Sequence, residues 1–137
     1  VLECLRYLMS DQRLVLSMLD EELSIAQISA DSELPRWALE SDFFAITRTD
    51  GELSIVCKSI HVPGEVKSDT GWRAIRLHGP FEFSLTGILS GLLNPLAAEK
   101  ISIFAISTYS TDYVLVKSAQ VESAVAVLKA DGYQFEE

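Results

Sequence analysis

Two short segments carry the residue types that could hold a small charged molecule. The first, Ser107-Thr108-Tyr109-Ser110-Thr111-Asp112-Tyr113, crowds hydroxyls, two aromatic rings and one carboxylate into a single turn. Asp112 can hold an ammonium group through a charge-assisted hydrogen bond. Asp is also an ordinary turn residue, so a purely structural role stays open. The second segment is the helix start expected at Phe83-Ser84-Leu85-Thr86-Gly87-Ile88. The first N–H groups of a helix lack partners and carry partial positive charge, so a carboxylate can dock there, with Gly87 letting it approach the backbone closely. Ser84 or Thr86 capping the same N–H groups is the structural alternative. A positive helix end and a carboxylate together offer the polarity that clamps the two charges of an α-amino acid.

Other chemistries find less support. A nucleophilic enzyme needs Ser, Cys or Thr beside a His base, yet His61 and His78 are isolated and no G-x-S-x-G elbow is present, so no catalytic residue is assigned. Cys57 and His61, near the expected linker, are all that a small enzyme would rest on. No two Cys or His residues stand at a ligand spacing, so no metal is expected. Gly87 and Gly91 fit neither a phosphate-binding loop nor a dinucleotide fingerprint, and no cofactor is expected. Cys4 and Cys57 read as buried free thiols. With 20 Asp plus Glu against 11 Lys plus Arg, a net charge of -9 repels phosphate backbones, which argues against nucleic acid. Charged or polar residues interrupt every apolar run short of the roughly 18 residues that span a bilayer, so no membrane segment is expected. The sequence starts at Val1 without a basic-then-apolar leader, and the cytoplasm is the expected compartment.

The elements that must position the two segments follow from periodicity. Strands are expected at residues 14–18, 23–28, 43–48 and 53–57, with Asp50-Gly51 closing a hairpin between the last two by tolerating positive φ. One short helix is expected at residues 34–39 behind Pro35. Residues 61–71, polar and rich in breakers, mark the connection between two halves, and the boundary is placed between residues 1–65 and 66–137. The second half reads as a strand at 72–77, a loop at 79–84, and a helix with Leu85, Leu89, Leu92, Leu93, Leu96 and Ala97 on one face. Pro95 is expected to bend that helix or end it early. A strand at 101–108, apolar on both faces, is expected to be buried on both sides. A strand at 113–116, a helix striped by Val121, Ala124, Val125 and Leu128 and stopped by Gly132, and a last short strand at 133–135 complete β-α-β-β-α-β. The first half looks like a degenerate copy that lacks one helix.

The run Gly79-Pro80-Phe81-Glu82-Phe83-Ser84-Leu85-Thr86-Gly87-Ile88 and the stretch from Ile101 to Val116, above all Ile106-Ser107-Thr108-Tyr109-x-Thr111-Asp112-Tyr113, closely resemble the ACT domains of the CASTOR-like group. Leu34-Pro35-Arg36-Trp37-Ala38 and the two strands around Asp50-Gly51 resemble the first ACT unit of its short bacterial members. The resemblance covers nearly the whole chain after about Arg13. It implies an α+β protein with ferredoxin-like βαββαβ ACT domains in tandem, the first degenerate. It also implies a non-catalytic, amino-acid-binding regulatory module, working as a homodimer with effector sites at interfaces between ACT units. Carried over by position, Asp112 would contact the ligand amino group, Thr108 and Tyr109 would line the pocket, and Gly87 with Ile88 would face the carboxylate; Thr86, Ser107 and Thr111 complete the expected ligand-binding set. The alternative is a protein-interaction or scaffolding ACT pair that has lost its ligand.

Overall fold

The computed structural model describes residues 15–78 and 87–136. Its strands are β1 (Val15–Met18), β2 (Leu23–Ile28), β3 (Ala45–Arg48), β4 (Leu53–Lys58), β5 (Lys67–Leu77), β6 (Ile103–Ser107), β7 (Asp112–Lys117) and β8 (Gln134–Glu136). Among the described residues two α-helices join them, α1 (Ile88–Ala98) and α2 (Val121–Ala130). The chain packs as two compact units, Asp20–Trp72 and a flanking unit built from the chain on either side of it. This division differs from the expected break after residue 65, because β5 runs through both units. Its polar beginning, expected to be linker, pairs with β2 (Ala26 against Ser68), and its end pairs with β1 (Leu16 against Leu77). Lys67, Ser68, Asp69 and Thr70 are exposed, as the outer strand of a small sheet can be. A register shift against β2 coincides with Gly71 at φ 79, the conformation a bulge asks of glycine.

Within Asp20–Trp72 the strand order is β3-β4-β2-β5, the ferredoxin-like order, with 3-10 turns at Arg36–Glu40 and Ser59–His61 in place of both helices. The unit was expected to lack one helix; it lacks two. The segment behind Pro35 makes only a 3-10 turn, and after Ser59–His61 the pair Pro63-Gly64 stops further winding, since Pro removes a donor and clashes with the preceding turn. Alternation in β4 puts Leu53, Ile55 and Cys57 on one fully buried face with Ala26 and Ala38. The hairpin expected at Asp50-Gly51 is present, but no positive φ occurs there. Thr49 closes it instead: its N–H donates to the Glu52 carbonyl (2.9 Å), and its Oγ1 accepts from the N–H groups of Gly51 and Glu52 (3.2 Å each).

In the flanking unit the expected β-α-β-β-α-β order is realised by the end of β5, α1, β6, β7, α2 and β8. Strand β1, expected in the first half, is inserted between β5 and β8, antiparallel to one and parallel to the other. Leu16 on β1, Ile75 and Leu77 on β5, and Val114 and Val116 on β7 form one core with Leu92 and Leu96 of α1 and Ala124 and Leu128 of α2. Each fully buried Leu contributes about 1.5–3 kcal/mol. Helix α1 passes through Pro95 without ending and continues to Ala98. Leu85 and the 79–84 loop lie outside the described residues. Strand β6 is not buried on both sides; Ala105 is exposed and its apolar neighbours are half-buried, because among the described strands β6 pairs only with β7.

Both α-helices end in the same double bond pattern. Ile101 N–H reaches the Leu96 carbonyl and Lys100 N–H that of Ala97, as Tyr133 N–H reaches Leu128 and Gly132 N–H reaches Lys129. Gly132 sits at φ 100, the expected stop, whereas Lys100 is forced to φ 58.

Candidate functional site

Strands β6 and β7 position the first segment. The turn between them is residues 108–111, and Asp112 is the first residue of β7 rather than part of the turn. Thr108 holds the turn by itself: its N–H and its hydroxyl both donate to the Thr111 carbonyl (2.8 and 3.1 Å), and its Oγ1 accepts from Thr111 N–H (3.1 Å). Thr111 Oγ1 donates to the Leu77 carbonyl, which pins the turn to the end of β5. The hydroxyls of Thr108 and Thr111 are therefore engaged in the fold. Tyr109 stands 82% exposed at the tip.

Ser107 and Asp112 are direct cross-strand partners, and Ser107 Oγ donates to Asp112 Oδ1 at 2.5 Å. By alternation they share the face of Val114 and Val116, the face on which the two helices pack. Ser107 is exposed and Asp112 half-buried. Oδ2 of Asp112 has no hydrogen-bond or ionic partner among the described residues.

The second segment begins to be described at Gly87; Thr86 lies outside the described residues. Gly87, exposed at φ 80, is the N-cap of α1 and brings no side chain to its first N–H groups, and no acidic residue stands in the first turn. Its carbonyl accepts from Gly91 N–H (2.9 Å) and Ser90 Oγ (3.2 Å). Ile88 is 5% exposed and packs in the core, so only its backbone faces outward. No hydrogen bond among the described residues joins Gly87 or Ile88 to the turn.

The remaining candidate groups are occupied otherwise. Cys57 is free, and burial pushes its thiol up, away from the thiolate a nucleophile needs. His61 Nδ1 lies 3.7 Å from Glu40 Oε2. Sequence reasoning missed a polar cluster in the flanking unit, where His78 Nε2 meets both Ser17 Oγ (2.9 Å) and Glu136 Oε2 (3.3 Å). Nothing local signals it, because the three residues meet only once β1 is inserted beside β5 and β8. Hydroxyl and carboxylate share one ring nitrogen there, whereas a catalytic relay uses both. Among the described residues no His, Cys, Asp and Glu group could hold a metal, and no helix is long and apolar enough to cross a membrane.

A β-α-β-β-α-β unit with a hydroxyl-rich β6–β7 turn, accompanied by a reduced copy of itself, defines a tandem ferredoxin-like protein of the ACT type. A family model described as an ACT domain matches residues 67–130, and one described as an N-terminal domain matches residues 20–65. The human cytosolic arginine sensor for mTORC1 subunit 1 is 35% identical over 95 residues, 64% of this chain. The match spans only 29% of that relative's length. The crystal structure of protein Atu0741 from Agobacterium tumefaciens is similar at TM-score 0.86 and 39% identity, covering 90% of this chain and 92% of that one. The regulatory subunit of aspartate kinase from Thermus thermophilus shares the fold at TM-score 0.56 and 10% identity, covering 83% of this chain and 96% of that one. The chain belongs to the CASTOR-like group of ACT-domain proteins.

Proposed function

We propose that the chain is a non-catalytic regulatory module that binds a free amino acid. The ligand ammonium pairs with Asp112 Oδ2, and its carboxylate takes the first N–H groups of α1 over Gly87, to which Gly87 brings no side-chain cap. The observation that carries this reading is the Asp112 oxygen that has no partner among the described residues, in a hairpin whose turn is closed by Thr108 and asks nothing of that carboxylate. The name of the human relative supports the amino-acid class of ligand and a cytosolic setting. The functional form is a homodimer in which ACT units of two copies meet and create equivalent sites; light scattering at micromolar concentration gives twice the monomer mass on this reading, and a strict monomer removes it.

Thermal unfolding with each free amino acid in turn tests the ligand. One present at 100 times its dissociation constant adds about 2.7 kcal/mol of stability. A melt unmoved by every amino acid, in a protein that is still dimeric, favours the scaffolding alternative. That alternative draws on the engagement of Thr108 and Thr111 in the fold and on the inward side chain of Ile88.

A further inference from the structure

We propose that Ser107 is a positioning residue for Asp112 and makes no ligand contact of its own, an inference that rests on the amino-acid-binding reading above. Three observations carry it. Ser107 Oγ donates to Asp112 Oδ1 at 2.5 Å, so its hydroxyl proton is already placed and the carboxylate is held through Oδ1, while Oδ2 has no partner among the described residues. A half-buried Asp at the start of a strand otherwise samples several χ1 rotamers, and a ligand would have to select one of them. The corresponding cross-strand pair of the other hairpin is Arg48 opposite Leu53, next to the same threonine-closed turn. The Ser107–Asp112 bond is thus not something the turn needs in order to form. It fixes a charged group whose second oxygen has nothing to bind within the described chain.

The test separates positioning from contact and from the ligand reading itself. Three-bond couplings across the Cα–Cβ bond of Asp112, measured by NMR without ligand, report its rotamer populations. The expected result is one rotamer in the natural protein and in Ser107→Thr, which keeps the hydroxyl, and averaged rotamers in Ser107→Ala. Unchanged couplings in Ser107→Ala overturn the proposal whether or not any ligand is found. Calorimetry then uses the amino acid returned by the thermal screen. Affinity falls about tenfold in Ser107→Ala and returns in Ser107→Thr, the size of one net hydrogen bond. A loss of affinity without rotamer averaging means that Ser107 touches the ligand directly and also overturns the proposal. If no amino acid binds, the functional reading fails while the couplings still decide the role of Ser107.

Discussion

The hairpins β3–β4 and β6–β7 are built alike and finish differently. Each turn is closed by a threonine, Thr49 or Thr108, whose N–H and Oγ1 bond the residue three further on. Each second strand ends at a lysine and passes through a 3-10 turn to a valine, Lys58 to Val62 in one and Lys117 to Val121 in the other, at a constant offset along the chain. They part at two positions. Beyond the valine, Pro63-Gly64 halts the chain where Glu122-Ser123 lets α2 form. At the start of the second strand, the fully buried Leu53 stands where the other hairpin has Asp112. The turn therefore requires the threonine hydroxyl and not the carboxylate, which leaves Asp112 available for another task.

Exchange at that second position breaks the comparison most sharply. Leu53→Asp removes a fully buried side chain and buries a charge, and should cost at least about 4 kcal/mol in a denaturant titration. Asp112→Asn should stay within about 0.5 kcal/mol of the natural protein in the same titration. A large loss from Asp112→Asn would mean that the carboxylate supports the hairpin after all. The threonines sharpen the likeness: Thr49→Ala and Thr108→Ala should each cost about 1–1.5 kcal/mol, since each hydroxyl both accepts and donates. Unequal costs would show that the two turns are alike in geometry only.

The helix ends extend the comparison at a smaller scale. Lys100→Gly should raise stability by about 1 kcal/mol by relieving a left-handed residue, and Gly132→Ala should lower it by a similar amount. Differential scanning calorimetry reads both, and a neutral Lys100→Gly would show that the lysine side chain offsets its strain. The smallest effect belongs to Gly51. With no positive φ and its nearest non-adjacent heavy atom 3.9 Å from an added Cβ, Gly51→Ala should stabilise by about 0.5 kcal/mol through a less free unfolded chain. A clear destabilisation there would restore the tight glycine turn that the sequence suggests.

Much of this architecture can be read from residue order. The stripes Leu89, Leu92, Leu93 and Leu96 and Val121, Ala124 and Leu128 locate both α-helices, and Gly132 marks the end of the second. Asp50-Gly51 locates a hairpin correctly for a mistaken reason, because the pair invites a glycine turn while the hydroxyl of Thr49 supplies a competing closure. The insertion of β1 is invisible in sequence: four residues of mixed character carry no sign of whether they pair with β2 or with strands far along the chain. The polar start of β5 looks like linker for a related reason, since an outer strand can leave Lys67 to Thr70 in water and show no alternation. At the site, the residue types at Ser107 and Asp112 are legible. Their mutual bond depends on register, and the engagement of Thr108 and Thr111 depends on backbone groups that no side-chain pattern reports.

Isothermal titration of the natural protein and Asp112→Asn, with the amino acid that gives the largest thermal shift, tests the central claim most directly. The substitution keeps shape and removes the charge that pairs with the ligand ammonium. A weakening of at least about tenfold is expected, corresponding to a charge-assisted bond at a half-buried position, while the ligand-free melt stays in place. Equal affinity in the two proteins would contradict the account and move the ligand away from Asp112.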